Sequence, residues 1–203
     1  MSSPEAVMRL APVIPVLVID DASHAVPIAR ALVAGGLPAL EVTLCTACAL
    51  DVIREMKQVP GAVVGAGTVL NPRELDAALA AGAEFIVSPG LTSALGKAAI
   101  EAGVPFLPGT SNAGDIMMGL DMGLTHFKFF PAEASGGIAA LKAIAAPFGM
   151  AKFCPTGGIT LASALGWLAL DPVLCVGGSW LVPKGAPDPS VIEANARAAA
   201  AMR

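Results

Sequence analysis

The hydrophobic positions of this chain alternate between two spacings from one end to the other. Short apolar runs typical of buried strands are followed by longer segments in which apolar residues recur every three or four positions, as on one face of a helix. The apolar runs are Val13–Ile19, Ala39–Leu44, Ala62–Gly65, Glu84–Val87, Pro105–Leu107, His126–Phe129, Lys152–Cys154 and Val173–Val176. The helical segments are Ala22–Ala34, Ala47–Met56, Arg73–Ala81, Ala94–Ala102, Ala113–Met122, Gly137–Ala146 and Ala162–Leu168. Strands that alternate with helices predict a parallel α/β protein.

Local signals predict where several helices begin and end. Residues 71–74 (Asn-Pro-Arg-Glu) combine a capping asparagine, a first-turn proline and a glutamate at the third position. Asp188-Pro189 predicts the start of a C-terminal helix over residues 188–203 in the same way. The pair Gly35-Gly36 predicts the end of the first helix of the repeat. Residues 1–11 are expected to form an extra N-terminal helix.

The number and length of the repeats favour a closed barrel. Eight strand–helix units in 203 residues suit a compact (β/α)8 TIM barrel, a fold whose lower size limit is about 200 residues. An open, doubly wound sheet is the alternative. No linker, charge block or shift in composition divides the chain, so residues 1–203 are expected to form one domain, with the N-terminal helix outside the barrel.

The composition excludes several classes of protein. Hydrophobic residues make up 55% of the chain and charged residues 14%. Even so, glycine, proline or a charged residue interrupts every apolar run before the ~18 residues that a membrane span needs. The N-terminal residues lack the apolar segment of a secretory signal, so a cytoplasmic protein is expected. The net charge of −4 and the lack of a basic cluster argue against nucleic-acid binding. Few charges and much apolar surface favour an oligomer.

A single lysine interrupts the apolar run Phe127–Pro131. Lys128 is flanked by phenylalanines, where burial disfavours the charged form of an amine. One interpretation is a lysine that extends its ammonium to water or pairs with Glu133. The other is an amine nucleophile that forms a Schiff base with a carbonyl.

Strand alternation brings a carboxylate to the same side as this lysine. In the second strand, Glu41 alternates with Val42 and Leu44, which suit packing under helices. Glu41 is therefore expected to point into the barrel, on the same face as Thr43 and Cys45. The same alternation predicts an inward Lys128. A buried structural salt bridge is one interpretation of the pair. A nucleophilic amine beside a proton-transferring carboxylate is the catalytic one.

Glycine pairs follow the last two predicted strands. Gly157-Gly158 and Gly177-Gly178 are each expected to lead into a helix, at the end of a barrel where the chemistry of such folds is found. Backbone N–H groups in such turns can bind a phosphate without a cationic side chain. After the third strand, Thr68 is either a hydrogen-bond donor to a substrate or a residue that leads into the next helix.

The four cysteines suggest little redox or metal chemistry. Cys45 and Cys48 form a C-x-x-C pattern, which is short enough to arise by chance. Cys154 and Cys175 lie in strand-like segments and are expected in the core. His24 and His126 lack the spacing of zinc ligands, with His126 expected near the barrel floor and His24 on the surface. We therefore predict no metal site.

Seven segments together resemble one family of aldolases. They are Pro12–Ile19, Leu40–Thr46 (LEVTLCT), Val64–Asn71 (VGAGTVLN), Val87–Leu91 (VSPGL), Phe127–Glu133 (FKFFPAE), Phe153–Ile159 (FCPTGGI) and Cys175–Pro183 (CVGGSWLVP). In this order they are similar to the 2-keto-3-deoxy-6-phosphogluconate (KDPG) and 4-hydroxy-2-oxoglutarate (KHG) aldolase family. The resemblance implies a homotrimeric class I aldolase on a (β/α)8 barrel that needs no metal or other cofactor. The implied reaction is the reversible cleavage of KDPG to pyruvate and glyceraldehyde 3-phosphate, or of KHG to pyruvate and glyoxylate. The implied partners are therefore pyruvate and a phosphorylated aldehyde, and neither a nucleic acid nor a membrane.

The resemblance also implies roles for individual residues. Lys128 would be the Schiff-base lysine and Glu41 the general acid and base. The implied substrate-binding positions are Thr68, Cys45, Pro89, Phe130, Thr156, Gly157, Gly158, Gly178 and Ser179.

One position departs from the family motif. The family has arginine where Cys45 stands, and that arginine is implied to hold the substrate carboxylate. Its loss is expected to impair the native activity or to alter substrate preference, since an arginine–carboxylate contact is a strong charge-assisted bond. The departure is compatible with a natural chain or with an engineered variant. A trimeric scaffold with little catalysis and a different phosphate-binding barrel enzyme are the alternative functions.

Overall fold

The computed structural model of this protein describes residues 3–183 and 185–202. The predicted helices 1–11 and 188–203, and the predicted domain 1–203, therefore include four residues outside the described part: Met1, Ser2, Lys184 and Arg203. The described strands are β1 (Val13–Leu17), β2 (Ala39–Thr43), β3 (Val63–Gly67), β4 (Phe85–Val87), β5 (Phe106–Leu107), β6 (Gly109–Thr110), β7 (His126–Phe129), β8 (Lys152–Pro155) and β9 (Val176–Gly178). The α-helices are α1 (Pro4–Met8), α2 (Ala25–Ala34), α3 (Ala49–Met56), α4 (Pro72–Ala80), α5 (Ser93–Glu101), α6 (Ala113–Asp121), α7 (Gly137–Ala145), α8 (Leu161–Leu168) and α9 (Pro189–Ala200).

The capping residues predicted from the sequence occupy their expected positions. The Asn71 side chain accepts a hydrogen bond from the Glu74 N–H at the start of α4, which has proline in its first turn. Asp188 accepts from two N–H groups at the start of α9. Gly35 caps the end of α2, and Gly36 adopts a left-handed φ of 93°. These local signals are strong because each satisfies backbone groups that a helix end leaves without partners.

The strands form two parallel sheets. The larger sheet has the order β5-β4-β3-β2-β1-β9, and the smaller has the order β6-β7-β8. The expectation of a parallel α/β fold is confirmed, but the prediction of eight regular strands in one plain barrel is wrong. The strand predicted over Pro105–Leu107 is followed by a second short strand, and proline separates the two.

One seam between the sheets has a clear physical cause. Pro108 lies between β5 and β6, and it has no N–H with which to continue the ladder. Its carbonyl still accepts from the Lys128 N–H at 2.8 Å. At the other seam, no ladder joins β8 to β9, and the pairing is reduced to the isolated bridges Phe153–Val173 and Thr156–Gly177, each of which includes a residue outside the two strands. The last predicted strand, Val173–Val176, is accordingly displaced to Val176–Gly178.

Two apolar cores lie on opposite sides of the strands. The larger core packs the helices against outward-facing strand residues such as Val42, Phe127 and Phe129. The smaller core, which we call the inner core, combines side chains from both sheets with helix α1. Its buried members are Val7, Met8, Ile14, Ala39, Phe85, Val87, Leu107, Cys154, Leu174 and Cys175. Cys154 and Cys175 are thus core residues, as expected.

Helix α1 covers the end of the inner core at which β7 begins. Val7 and Met8 are buried there. His126, the first residue of β7, has its Nε2 3.8 Å from Oε2 of Glu5. Burial lowers the pKa of His126, and the nearby Glu5 opposes this effect only in part. His126 therefore lies at the floor, as expected, and the polar strand residues lie at the other end.

Candidate active site

The described structure brings Lys128 and Glu41 into direct contact. Lys128 belongs to β7 in the smaller sheet, and Glu41 belongs to β2 in the larger sheet. The Lys128 Nζ donates to Oε1 of Glu41 at 3.0 Å. Only 5% of Lys128 and 3% of Glu41 is exposed. Because an unpaired buried charge is costly, each side chain stabilises the other in this position.

Neighbouring groups fix the position of the Lys128 amine. The Phe130 ring centroid lies 5.2 Å from Nζ, within the range of a cation–π contact. The buried Thr110 hydroxyl donates to the Lys128 carbonyl at 3.4 Å. Glu133, the alternative partner considered for Lys128, instead accepts a hydrogen bond from the Trp167 indole. The lysine is therefore held at its backbone and at its amine.

The end of β3 packs against Glu41. A Cβ atom on Gly67 would lie 2.3 Å from Oε1 of Glu41, so only glycine leaves room for the carboxylate here. The next residue, Thr68, is half-buried and has a φ of 59°, and it is the sole non-glycine residue with positive φ in the described ranges. Such a conformation costs on the order of 1–3 kcal/mol, and residues of this kind cluster at functional sites.

The ends of β8 and β9 lie next to each other. Thr156 is buried, and its isolated bridge to Gly177 joins the two strand ends. Gly157 and Gly158 follow with φ angles of 104° and 80°. Gly178 is buried at the end of β9, and Ser179 is exposed just beyond it. The two glycine pairs predicted to bind phosphate therefore lie at neighbouring strand ends. The first pair precedes α8, as expected, but Gly177 and Gly178 belong to β9 itself, and the next described helix, α9, begins only at Pro189. The expected helix N-terminus directly after the second pair is therefore wrong.

Pro89 lies in the loop after β4 and is half-buried. Its carbonyl oxygen would be 2.0 Å from a Cβ atom on Gly109, so the loop lies directly against β6. The buried Ser88 hydroxyl donates to the Gly90 carbonyl and closes the loop. The backbone of β6 pairs in turn with β7 at Lys128, which connects this loop to the strand that carries the lysine.

Cys45 lies beyond the strand whose alternation was used to place it. Strand β2 ends at Thr43, and Cys45 lies in the following turn with an exposed side chain. Cys48 is half-buried, and its thiol donates to the Ile19 carbonyl at 3.2 Å. Both are free cysteines. Strand alternation therefore does not fix the direction of the Cys45 side chain, and both its inward orientation and its role at the substrate carboxylate stay predictions.

Sequence reasoning missed two features of this site. It assigned no role to Gly67, the last residue of β3, which leaves room for Glu41. It also did not identify the hydrogen bond between Glu133 and Trp167, whose residues are 34 positions apart. The only sequence signal for the contact between Gly67 and Glu41 was the presence of a glycine at the end of the run Gly65–Gly67. Within residues 3–183 and 185–202, no group of three or more potential metal ligands is present.

A family model described as KDPG and KHG aldolase matches residues 5–195. The chain belongs to this aldolase family. The expectation of an aldolase, and hence of a carbon–carbon lyase, is confirmed. The KHG/KDPG aldolase of Escherichia coli is 56% identical over 186 residues, which cover 91% of this chain and 87% of that protein.

Solved structures of family members closely match the fold. The KDPG aldolase of Zymomonas mobilis, crystallised with 3-phosphoglycerate, is 60% identical and has a TM-score of 0.98, with 100% of this chain and 97% of that one covered. The KDPG aldolase of Legionella pneumophila is 44% identical, with a TM-score of 0.95 and 98% of each chain covered. Its structure holds pyruvate as a covalent carbinolamine intermediate. Schiff-base chemistry therefore belongs to this family.

Proposed function

We propose that this chain is a class I aldolase that uses Lys128 as its nucleophile. It cleaves KDPG to pyruvate and glyceraldehyde 3-phosphate, and KHG to pyruvate and glyoxylate. The observation that supports this assignment best is the contact of a buried lysine with a buried glutamate at 3.0 Å. A pair of this kind supplies a nucleophile and a proton acceptor at one point.

The first half of the reaction joins the substrate to Lys128. Glu41 first takes a proton from the Lys128 ammonium, to which it is hydrogen-bonded, and leaves a neutral amine. The amine attacks the C2 ketone, and a proton passes from its nitrogen to the former carbonyl oxygen to give a carbinolamine. Protonated Glu41 then gives its proton to the carbinolamine hydroxyl, which leaves as water. The resulting iminium ion draws electrons from the neighbouring carbon, and this is the purpose of the covalent link.

The second half breaks the C3–C4 bond. A base removes the proton from the C4 hydroxyl, the carbonyl of the aldehyde forms, and the bonding electrons move into an enamine on Lys128. Glu41 is the candidate base, directly or through a water molecule, because it is the carboxylate that contacts the amine. Protonation of the enamine at C3 and addition of water release pyruvate and restore the free lysine.

The remaining predicted residues divide between the two ends of the substrate. Thr68 and the segments with Pro89 and Phe130 surround the pyruvate portion in this proposal. The phosphate lies over the glycine turns, where backbone N–H groups bind it. The residues proposed for that end are Thr156, Gly157, Gly158, Gly178 and Ser179. Cys45 stands where the family arginine would hold the carboxylate, so we propose weakened binding of the 2-keto acid.

The proposal extends to the whole assembly. The two sheets would enclose one barrel of the type expected, in a single domain that forms a homotrimer in the cytoplasm. Large exposed apolar side chains on α6 and α8 support a subunit interface: Met117, Met118, Leu161 and Leu165. In the described part of the chain, no helix is both long and apolar enough to cross a bilayer. Light scattering tests the proposed homotrimer. The measured mass should be three times the chain mass of 20.2 kDa, and a stable monomer would contradict the trimer.

Product analysis tests the proposed reaction. The purified chain is expected to release pyruvate and glyceraldehyde 3-phosphate from KDPG in equal amounts, and Lys128→Met is expected to release neither. The surface variant Lys142→Met serves as the control and should retain the activity, because Lys142 is an exposed residue of α7. Full activity of Lys128→Met would overturn the assignment. A folded trimer without any turnover would favour the scaffold alternative instead.

A further inference from the structure

Glu133 lies in the loop after β7 and connects that loop to the turn after β8. Its backbone N–H donates to the Gly157 carbonyl at 3.1 Å. The preceding residue, Ala132, donates to the Thr156 carbonyl at 2.8 Å. These two hydrogen bonds attach the loop of Glu133 to the turn that is proposed to bind phosphate.

The side chain of Glu133 adds a second attachment to a different helix. Its Oε1 accepts from Nε1 of Trp167 on α8 at 3.0 Å. Trp167 is completely buried, and its ring packs against Phe129 with centroids 6.2 Å apart. Since a buried indole N–H needs an acceptor, Trp167 fixes the direction of the Glu133 side chain.

Gly158 packs directly on this fixed side chain. A Cβ atom on Gly158 would lie 2.8 Å from both Cβ and Cγ of Glu133. Gly157 approaches the start of the same loop, since its Cβ position lies 3.3 Å from Cα of Pro131. The glycine turn therefore contacts the loop at Pro131 and at Glu133, and the closer approach is at Glu133.

We propose that Glu133 is a positioning residue for the phosphate-binding turn. Held by Trp167, it determines where the backbone of Gly157 and Gly158 lies, and through that backbone it sets the affinity for the phosphorylated end of the substrate. Glu133 does not touch the reacting carbon. Lys128 is held separately by Glu41 and Thr110, so formation of the Schiff base does not depend on Glu133. This inference rests on the proposed aldolase function.

Two variants separate positioning from general stability. Glu133→Ala removes the acceptor, and because Glu133 is exposed overall, water can replace it and the protein can still fold. The KM for KDPG is expected to rise about tenfold, the scale of one lost hydrogen bond. The KM for KHG, which carries no phosphate, and the rate of pyruvate trapping by borohydride are expected to stay within about twofold of wild type.

The conservative variant and a surface control complete the experiment. Glu133→Gln keeps an oxygen acceptor for Trp167 and is expected to restore most of the KDPG affinity. Glu193→Ala, which breaks a surface contact with Arg197 on α9, should change neither KM. An equal loss with KDPG and KHG, no change in either KM, or a Gln variant as impaired as the Ala variant would each overturn the inference. A wild-type chain that forms no pyruvate adduct would instead overturn the proposed function.

Discussion

A methyl group added at Gly67 should disable the proposed catalytic pair, Lys128 and Glu41, without a substitution at either residue. The position of a Cβ atom there is 2.3 Å from Oε1, 2.7 Å from Cγ and 2.9 Å from Cδ of Glu41. Gly67 does not have a left-handed φ, so alanine is compatible with its backbone. The effect of Gly67→Ala therefore comes from the collision with Glu41 alone.

The size of the effect follows from the available space. A methyl group and an oxygen need a separation of roughly 3.5 Å, so the carboxylate must move by about 1 Å. Glu41 is only 3% exposed and pairs with Lys128 at 3.0 Å, so this movement lengthens a buried hydrogen bond. Overpacking of this kind costs about 1–3 kcal/mol of stability. A 1 Å displacement of a proton-transferring group is expected to lower kcat by about 100-fold.

Steady-state cleavage of KDPG, followed by the release of pyruvate, measures this effect. The matched control is Gly149→Ala, because a Cβ atom there would meet no atom within 4 Å. Urea unfolding of both variants shows what fraction is folded under the assay conditions. If folded Gly67→Ala keeps kcat within about threefold of wild type, the placement of Glu41 is not important for the reaction and the reasoning fails.

Two further predictions concern Cys45 and His126. Cys45→Arg should lower the KM for KDPG by about 30-fold or more, because an arginine–carboxylate contact contributes on the order of 2 kcal/mol or more; an unchanged KM would show that this position does not hold the carboxylate. Burial lowers the pKa of His126 below its ordinary value of 6.5, with Glu5 opposing and Arg9 and Lys152 adding to the effect. As the pH falls, His126 therefore binds a proton in the unfolded chain before it does so in the folded protein. The free energy of unfolding is highest above pH 6.5 and decreases as the pH falls below that value. Urea midpoints at about pH 7.5 and about pH 5.5 should differ less for His126→Gln than for wild type, and equal differences would contradict the assignment.

Features that depend on residues close together in the sequence were predicted correctly. The caps at Asn71 and Asp188 involve groups within three positions, so their patterns identify them directly. Alternation along β2 and β7 was enough to bring Glu41 and Lys128 to one side, because each lies well within its strand.

Features set by contacts between distant segments were not predictable in this way. Alternation applies only within a strand, and β2 ends at Thr43, so it does not determine the orientation of Cys45. The break at Pro108 could be anticipated from the missing N–H, but the displacement of the last strand to Val176–Gly178 depends on how β8 and β9 meet. Gly67 and Glu41 lie on the neighbouring strands β3 and β2, and their contact depends on how these strands are aligned. The sequence alone does not specify this register.

Covalent trapping of pyruvate tests the central claim most directly. The chain is incubated with pyruvate and reduced with borohydride, and the modified residue is located by peptide mass spectrometry. The proposed mechanism predicts one stable adduct per chain on Lys128, and no adduct in Lys128→Met. An adduct that persists in that variant, or a wild-type chain that stays unmodified at high pyruvate, would contradict it.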